Sequence, residues 1–113
     1  MRGRIYRGII ESSGYAGALA GFFSRSGRAL GGPVSCFIEP ANICNLKCPL
    51  CAAGAGLLNR PRGSLKAADF ETIVKKLPPG VSTLYLWGQG EPFFAPDFLD
   101  MARFAARRGF RTI

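Results

Sequence analysis

The sequence predicts an α/β fold in which parallel strands alternate with helices. Two strand-like segments, 34–39 and 82–87, are each followed by a loop and then by a segment with helical periodicity. A third short segment with strand character, 110–113, follows the second helical one. Because strands that alternate with helices pair in parallel through helical crossovers, we expect the order β–loop–α–β–loop–α–β.

The first 33 residues are a basic lead-in rich in glycine and alanine, and the core is expected over 34–113. Ile5 and Ile9 share one helical face, and Leu19 and Phe22 share another. Since glycines weaken a helix, we expect one or two weak helices here. An interfacial membrane helix is the alternative. The arginines that suggest it are Arg2, Arg4, Arg7, Arg25 and Arg28.

The first predicted strand, 34–39, is a nearly continuous apolar run, which is typical of a strand in a buried parallel sheet. Pro40 ends it. Cys36 lies within this strand and is expected to be a buried free thiol, since unpaired cysteines pack as small apolar residues. The loop that carries the other cysteines follows directly.

The first core helix is predicted over 66–77, with Ser64 as its N-cap. Pro78, Pro79 and Gly80 end it, because proline cannot continue a helix. Helical spacing of the apolar residues predicts its buried face. These residues are Leu65, Phe70, Ile73, Val74 and Leu77.

The second predicted strand, 82–87, ends in the loop 88–92. A helix is predicted from Pro96 to about Arg108, with proline in its first turn and Gly109 just after its end. Its expected buried stripe consists of Phe98, Met101, Ala102 and Ala105.

Two unusual loops follow the first two strands. In parallel α/β folds the carboxyl ends of the strands meet at one edge, where binding and catalytic residues gather. The cysteine loop follows the first strand, and the loop 88–92 follows the second. We therefore expect the two loops to lie side by side.

The cysteine loop contains Cys44, Cys48 and Cys51 in the pattern C-x3-C-x2-C. Three thiols in one loop can converge on one metal centre and leave a coordination position open, as reactive metal sites do. Thiolates favour iron–sulfur clusters, zinc or Cu(I). The chain contains no histidine, so another ligand has to be sulfur, a carboxylate or an outside molecule. A reducing compartment would favour thiolate ligands over disulfides.

The motif Asn42-Ile-Cys-Asn-Leu-Lys-Cys-Pro-Leu-Cys51, together with Gly90-Glu91-Pro92, resembles the radical S-adenosylmethionine superfamily. It is similar to members with a SPASM or twitch extension, as is the spacing of Arg60 and Gly63. The resemblance covers about 34–113. It implies the N-terminal portion of a partial TIM-like (β/α)6 barrel, with about two and a half β/α units present.

This resemblance implies that Cys44, Cys48 and Cys51 hold three irons of a 4Fe-4S cluster, while S-adenosylmethionine chelates the fourth. One electron then cleaves S-adenosylmethionine to methionine and a 5′-deoxyadenosyl radical, which abstracts hydrogen from a substrate. The implied contacts with S-adenosylmethionine are Leu50 at the adenine and Gln89, Gly90, Glu91 and Pro92 at the methionyl ammonium. The family usually has glycine at the position of Gln89.

The substrate is unknown, and the subgroup implies a peptide or a protein. An external one-electron donor such as a flavodoxin or ferredoxin is also implied. The sequence predicts a cytoplasmic protein, since it shows neither a secretory signal nor a transmembrane segment. Its net charge of +8 is spread along the chain, which does not favour a nucleic-acid interface. The alternative function is a small non-catalytic iron–sulfur or zinc binding module.

Overall fold

The computed structural model of the chain describes residues 2–25 and 27–113. Its elements follow the predicted alternation, although its strands are shorter than expected. No helix of the described residues is long and apolar enough to cross a membrane. In chain order the elements are α1 (Arg2–Phe23), β1 (Ser35–Phe37), α2 (Ala67–Lys75), β2 (Thr83–Tyr85), a 3-10 turn (Pro92–Phe94), α3 (Phe98–Arg107) and β3 (Arg111–Thr112).

The three strands form one parallel sheet in the order β1–β2–β3. Cys36 pairs with Leu84, and Leu84 pairs with Thr112. Helices α2 and α3 pack together with the sheet to form the core. Phe70, Leu84 and Met101 are fully buried there. The predicted parallel α/β arrangement of these elements is therefore confirmed.

The other face of the sheet is open among the described residues. Phe37 in β1 is 59% exposed, and Trp87, just beyond β2, is 47% exposed. Phe37 stacks on Tyr85 with ring centroids 4.4 Å apart, and the edge of Trp87 meets the Phe37 ring at 5.3 Å. The apolar run of the first strand predicted burial on both faces. The structure instead leaves one face of this strand exposed. Cys36 is half-buried beside the core rather than fully enclosed.

The predicted N-cap of α2 is wrong. Ser64 lies in an isolated antiparallel bridge with Ala41, and the helix begins at Ala67 after Lys66, which makes no side-chain cap. The N–H of Ala67 instead donates to Asp97 Oδ2 at 3.0 Å, so a residue 30 positions later caps the helix. Phe70 and Val74 are buried as expected, but Ile73 is 38% exposed.

Helix α3 matches its prediction closely. Met101 and Ala105 are fully buried, and Phe98 packs beside them. The helix ends where Gly109 adopts a φ of 82°, a left-handed conformation that glycine adopts without strain. The N–H of Phe110 then donates to Ala105 O at 3.1 Å, which satisfies a carbonyl at the helix end.

Of the one or two helices expected in the lead-in, the structure shows one continuous helix, α1. The segment after it folds back along a face that carries glycines. A Cβ on Gly17 would lie 2.7 Å from Leu30 O, so this close approach requires glycine. Several apolar side chains of α1 are exposed. They are Ile9, Tyr15, Leu19, Phe22 and Phe23.

Candidate functional site at the carboxyl edge of the sheet

The cysteine loop and the loop 88–92 lie side by side, as the order of strands predicted. The N–H of Glu91 donates to Ile43 O at 2.9 Å, one residue before the first cysteine of the motif. A Cβ on Gly90 would lie 2.7 Å from Asn42 Cα and from the carbonyl carbon of Ala41. Glycine is needed at position 90 because two stretches of backbone meet there.

The three cysteines of the motif are free thiols on this edge. Cys44 and Cys51 are half-buried, and Cys48 is exposed. The N–H of Cys51 donates to Cys48 O at 3.1 Å, which brings these two residues into one turn. The N–H of Leu46 donates to Cys44 Sγ at 3.4 Å, so one sulfur already accepts a backbone hydrogen bond.

The turn after the motif is packed against the cysteine loop. A Cβ on Gly54 would lie 2.7 Å from Cys48 N and 3.2 Å from Leu46 O. Gly54 therefore lets the turn 52–57 close under the loop. The N–H of Leu57 donates to Ala52 O at 2.8 Å and closes that turn.

The donor set suits a soft metal centre, but the sulfurs are not gathered around one point. In the described residues, no group of three Cys, Asp or Glu side chains is close enough to hold a single metal ion. A cluster that binds each thiolate through a different iron keeps its ligands farther apart than one ion does. The chemistry of three free thiols in one loop fits such a cluster.

Gln89 is the contact between the loop 88–92 and the cysteines. Its backbone carbonyl lies 3.6 Å from Cys51 Sγ, and its side-chain Oε1 lies 3.9 Å from the same sulfur. The thiol of Cys51 therefore donates toward two oxygens of one residue. Gln89 occupies the position where the resembled family usually has glycine, which has no side chain to offer.

Glu39 is a site residue that the sequence interpretation missed. Its Oε1 accepts a hydrogen bond from the N–H of Gln89 at 2.6 Å. Its Oε2 pairs with the guanidinium of Arg60 at 2.5 Å. The only signal for it in the sequence is a carboxylate at the end of an apolar strand. The partners of Glu39 lie 21 and 50 residues farther along the chain.

Asn42 connects the carboxyl edge of the sheet to the loop 57–63. It belongs to the cysteine motif, but the sequence alone assigns it no role. Its side chain is 8% exposed. Its Nδ2 donates to Pro61 O at 2.7 Å, and its Oδ1 accepts from the N–H of Gly63 at 2.7 Å. These two bonds hold Arg60 close enough to pair with Glu39.

The remaining predicted contacts with S-adenosylmethionine differ in their surroundings. Glu91 is half-buried, and its Oε1 accepts from the N–H of Phe93 at 3.3 Å, so the carboxylate also caps the 3-10 turn that begins at Pro92. Leu50 is fully exposed among the residues that the structure describes. The structure thus brings Gln89, Gly90 and Glu91 to the cysteine loop.

Charge and exposure define what this edge can do. It presents thiols, backbone carbonyls and a carboxylate on one side, and the cations Lys47 and Arg62 are exposed near them. Such an edge can bind a soft metal through sulfur and an ammonium group through oxygen. Comparison of the chain with protein-family models, with curated proteins and with solved structures finds no match.

Proposed function

We propose that this chain carries the cofactor-binding edge of a radical S-adenosylmethionine enzyme. The observation that supports this most directly is the contact between two motifs 38 residues apart, in which Gln89 reaches Cys51. Either motif alone is weak, but a cysteine loop and a Gly-Glu-Pro loop that touch at one sheet edge are specific.

Each residue of the edge has a part in the proposed site. The thiolates of Cys44, Cys48 and Cys51 hold a 4Fe-4S cluster and leave one iron without a protein ligand. When bound, the cluster supplies the electron that cleaves S-adenosylmethionine into methionine and the radical that abstracts hydrogen from the substrate. The carbonyls of the loop 88–92 and the Glu91 carboxylate accept hydrogen bonds from the methionyl ammonium.

Leu50 gives the proposed site an apolar contact for adenine. Because its side chain is fully exposed, covering it with a base removes apolar surface from water. The expected loss of affinity for S-adenosylmethionine on Leu50→Ser is therefore modest. An aromatic ring at this position would add stacking, which leucine does not supply.

The open face of the sheet supports the proposed fold. Phe37, Tyr85 and Trp87 form an aromatic cluster that no described helix covers. In a partial TIM-like barrel this face lines the interior, where a substrate is kept from water. A peptide or protein substrate and an external flavodoxin or ferredoxin remain the proposed partners.

Anaerobic reconstitution with iron and sulfide tests the proposal. We expect a brown protein with the absorption of a 4Fe-4S cluster, whose electron paramagnetic resonance spectrum changes when S-adenosylmethionine is added. Cys48→Ala should abolish stable cluster binding, because Cys48 is one of only three protein ligands. Cys36→Ala is the matched control, since Cys36 lies in β1 beside the core, outside the cysteine loop.

Three results would overturn the proposal. One is a colourless protein that binds zinc and does not respond to S-adenosylmethionine, which would favour the non-catalytic zinc module. Another is a cluster that survives Cys48→Ala but is lost in Cys36→Ala. The third is a cluster whose spectrum does not change in S-adenosylmethionine, which would favour a non-catalytic iron–sulfur module.

A further inference from the structure

We propose that Glu39 and Gln89 act together to set the surroundings of the Cys51 sulfur. Glu39 holds the backbone of Gln89, and Gln89 places its side-chain amide at Cys51. This inference rests on the proposed function only where it concerns the loaded cluster. The contact itself belongs to the protein without metal.

Glu39 fixes the backbone at Gln89 through a short hydrogen bond. The hydrogen bond from the Gln89 N–H to Glu39 Oε1 is 2.6 Å long, as charge-assisted bonds are. A Cβ on Gly88 would lie 2.6 Å from the same oxygen, so the chain before Gln89 also lies against the carboxylate. The ion pair with Arg60 fixes the other oxygen. Glu39 therefore has both oxygens engaged.

The position of Gln89 affects Cys51 because two oxygens of Gln89 lie close to the Cys51 sulfur. Its carbonyl and side-chain Oε1 both lie within 4 Å of Cys51 Sγ. In the thiol form the sulfur donates and these oxygens accept. When Cys51 binds iron as a thiolate, the sulfur has no proton to give and accepts instead.

Gln89 can serve both forms because a carboxamide has an oxygen and an NH2 group of similar shape. A half-turn about its last side-chain bond exchanges them and presents an N–H donor to the thiolate. Leu46 already donates its N–H to Cys44 Sγ, so Gln89 adds a second hydrogen bond to the ligand set. Hydrogen bonds to cluster sulfurs help to set the reduction potential. Each one stabilises the reduced cluster, which carries more negative charge, and so raises the potential.

The reduction potential of the reconstituted cluster tests this role. We expect Gln89→Leu to shift the potential to a more negative value, since leucine has similar size and no donor. Glu39→Leu should shift it in the same direction by releasing Gln89. Glu39→Gln keeps an acceptor oxygen for the Gln89 N–H and should restore most of the wild-type potential. Glu71→Leu, which removes an exposed carboxylate on α2, is the matched control and should leave it unchanged.

Nuclear magnetic resonance on the metal-free chain tests the contact without a cluster. We expect a cross-relaxation signal between Gln89 and Cys51 in the wild type and in Glu39→Gln, and its loss in Glu39→Leu. Persistence of the signal in Glu39→Leu would overturn the positioning role of Glu39. An unchanged potential in Gln89→Leu would overturn the role of its amide. A wild type that shows the signal but assembles no cluster would contradict the proposed function and leave the positioning role supported.

Discussion

The helix-covered face of the sheet packs apolar side chains together, whereas the carboxyl edge joins its loops through polar side chains and glycine backbones. On the covered face, Phe70, Leu84 and Met101 are fully buried. At the edge, Glu39 and Asn42 each bind two partners far away in the sequence. The two regions therefore respond to different kinds of substitution.

This difference separates stability from the assembly of the site. Burial of apolar area is not directional, so the covered face stabilises the fold without fixing a precise geometry. Hydrogen bonds and close backbone contacts are directional, and they fix where the loops lie. A substitution on the covered face is expected to change the free energy of unfolding, and one at the edge is expected to change the position of the cysteine loop.

The largest expected effect is that of Leu84→Ala in the centre of the sheet. Leu84 is fully buried, and its loss leaves a cavity that the surrounding core fills only partly. We expect the free energy of unfolding to fall by about 2–5 kcal/mol. Urea denaturation followed by circular dichroism measures it.

Leu99→Ala is the matched control for this substitution. Leu99 lies in the first turn of α3 but is 53% exposed. Truncating its side chain should therefore change the free energy of unfolding by less than about 0.5 kcal/mol. The folded fraction of Leu84→Ala should still keep the contact between Gln89 and Cys51. Equal losses in the two variants would contradict the assigned core.

Gly90→Ala is expected to have the next largest effect and to act on the site more than on the core. Its new Cβ would lie 2.7 Å from Asn42 Cα, and backbone on both sides leaves little room to relax. We expect a cost of about 1–3 kcal/mol, as for overpacking. We also expect iron per chain after reconstitution to fall, because the Glu91 bond to Ile43 is pulled apart. Iron analysis and denaturation measure the two effects separately.

Gly63→Ala is the control at the same edge. A Cβ there would meet no heavy atom of the described residues within 4 Å beyond its chain neighbours. The Gly63 N–H would still donate to Asn42 Oδ1. It should therefore bind as much iron as the wild type. If Gly90→Ala bound iron equally well, the two loops would not need their close approach.

The placement of the two loops could be predicted from the sequence because it depends on strand order alone. Parallel strands put the residues after β1 and after β2 at one edge, and Cys51 and Gln89 indeed meet there. The C-terminal end of α3 was also predictable, since Gly109 marks it locally. These features follow from short-range patterns.

Other features depend on partners far away in the chain and could not be predicted in this way. Ser64 has the residue type of an N-cap, but Asp97 supplies the acceptor from 30 positions later. In the sequence, Glu39 is an ordinary residue at a strand end, because its bonds to Arg60 and Gln89 form only in the folded chain. The exposure of Phe37 depends on what covers the open face, which an apolar run does not specify.

Asp97→Ala is expected to have the smallest effect of the three, and it tests a residue that belongs to both regions. Its carboxylate is a polar contact at the edge, yet it caps a helix of the covered face at Ala67.

Loss of this acceptor should cost about 1 kcal/mol, as for other helix N-caps, and should speed amide hydrogen exchange in the first turn of α2. Asp97→Asn keeps an acceptor oxygen and should restore most of the protection. Since Phe70 and Val74 pack one turn farther along, their amides should stay protected in both variants if the covered face holds α2 on its own. Faster exchange along the whole of α2 would show instead that the polar edge and the apolar face unfold as one unit.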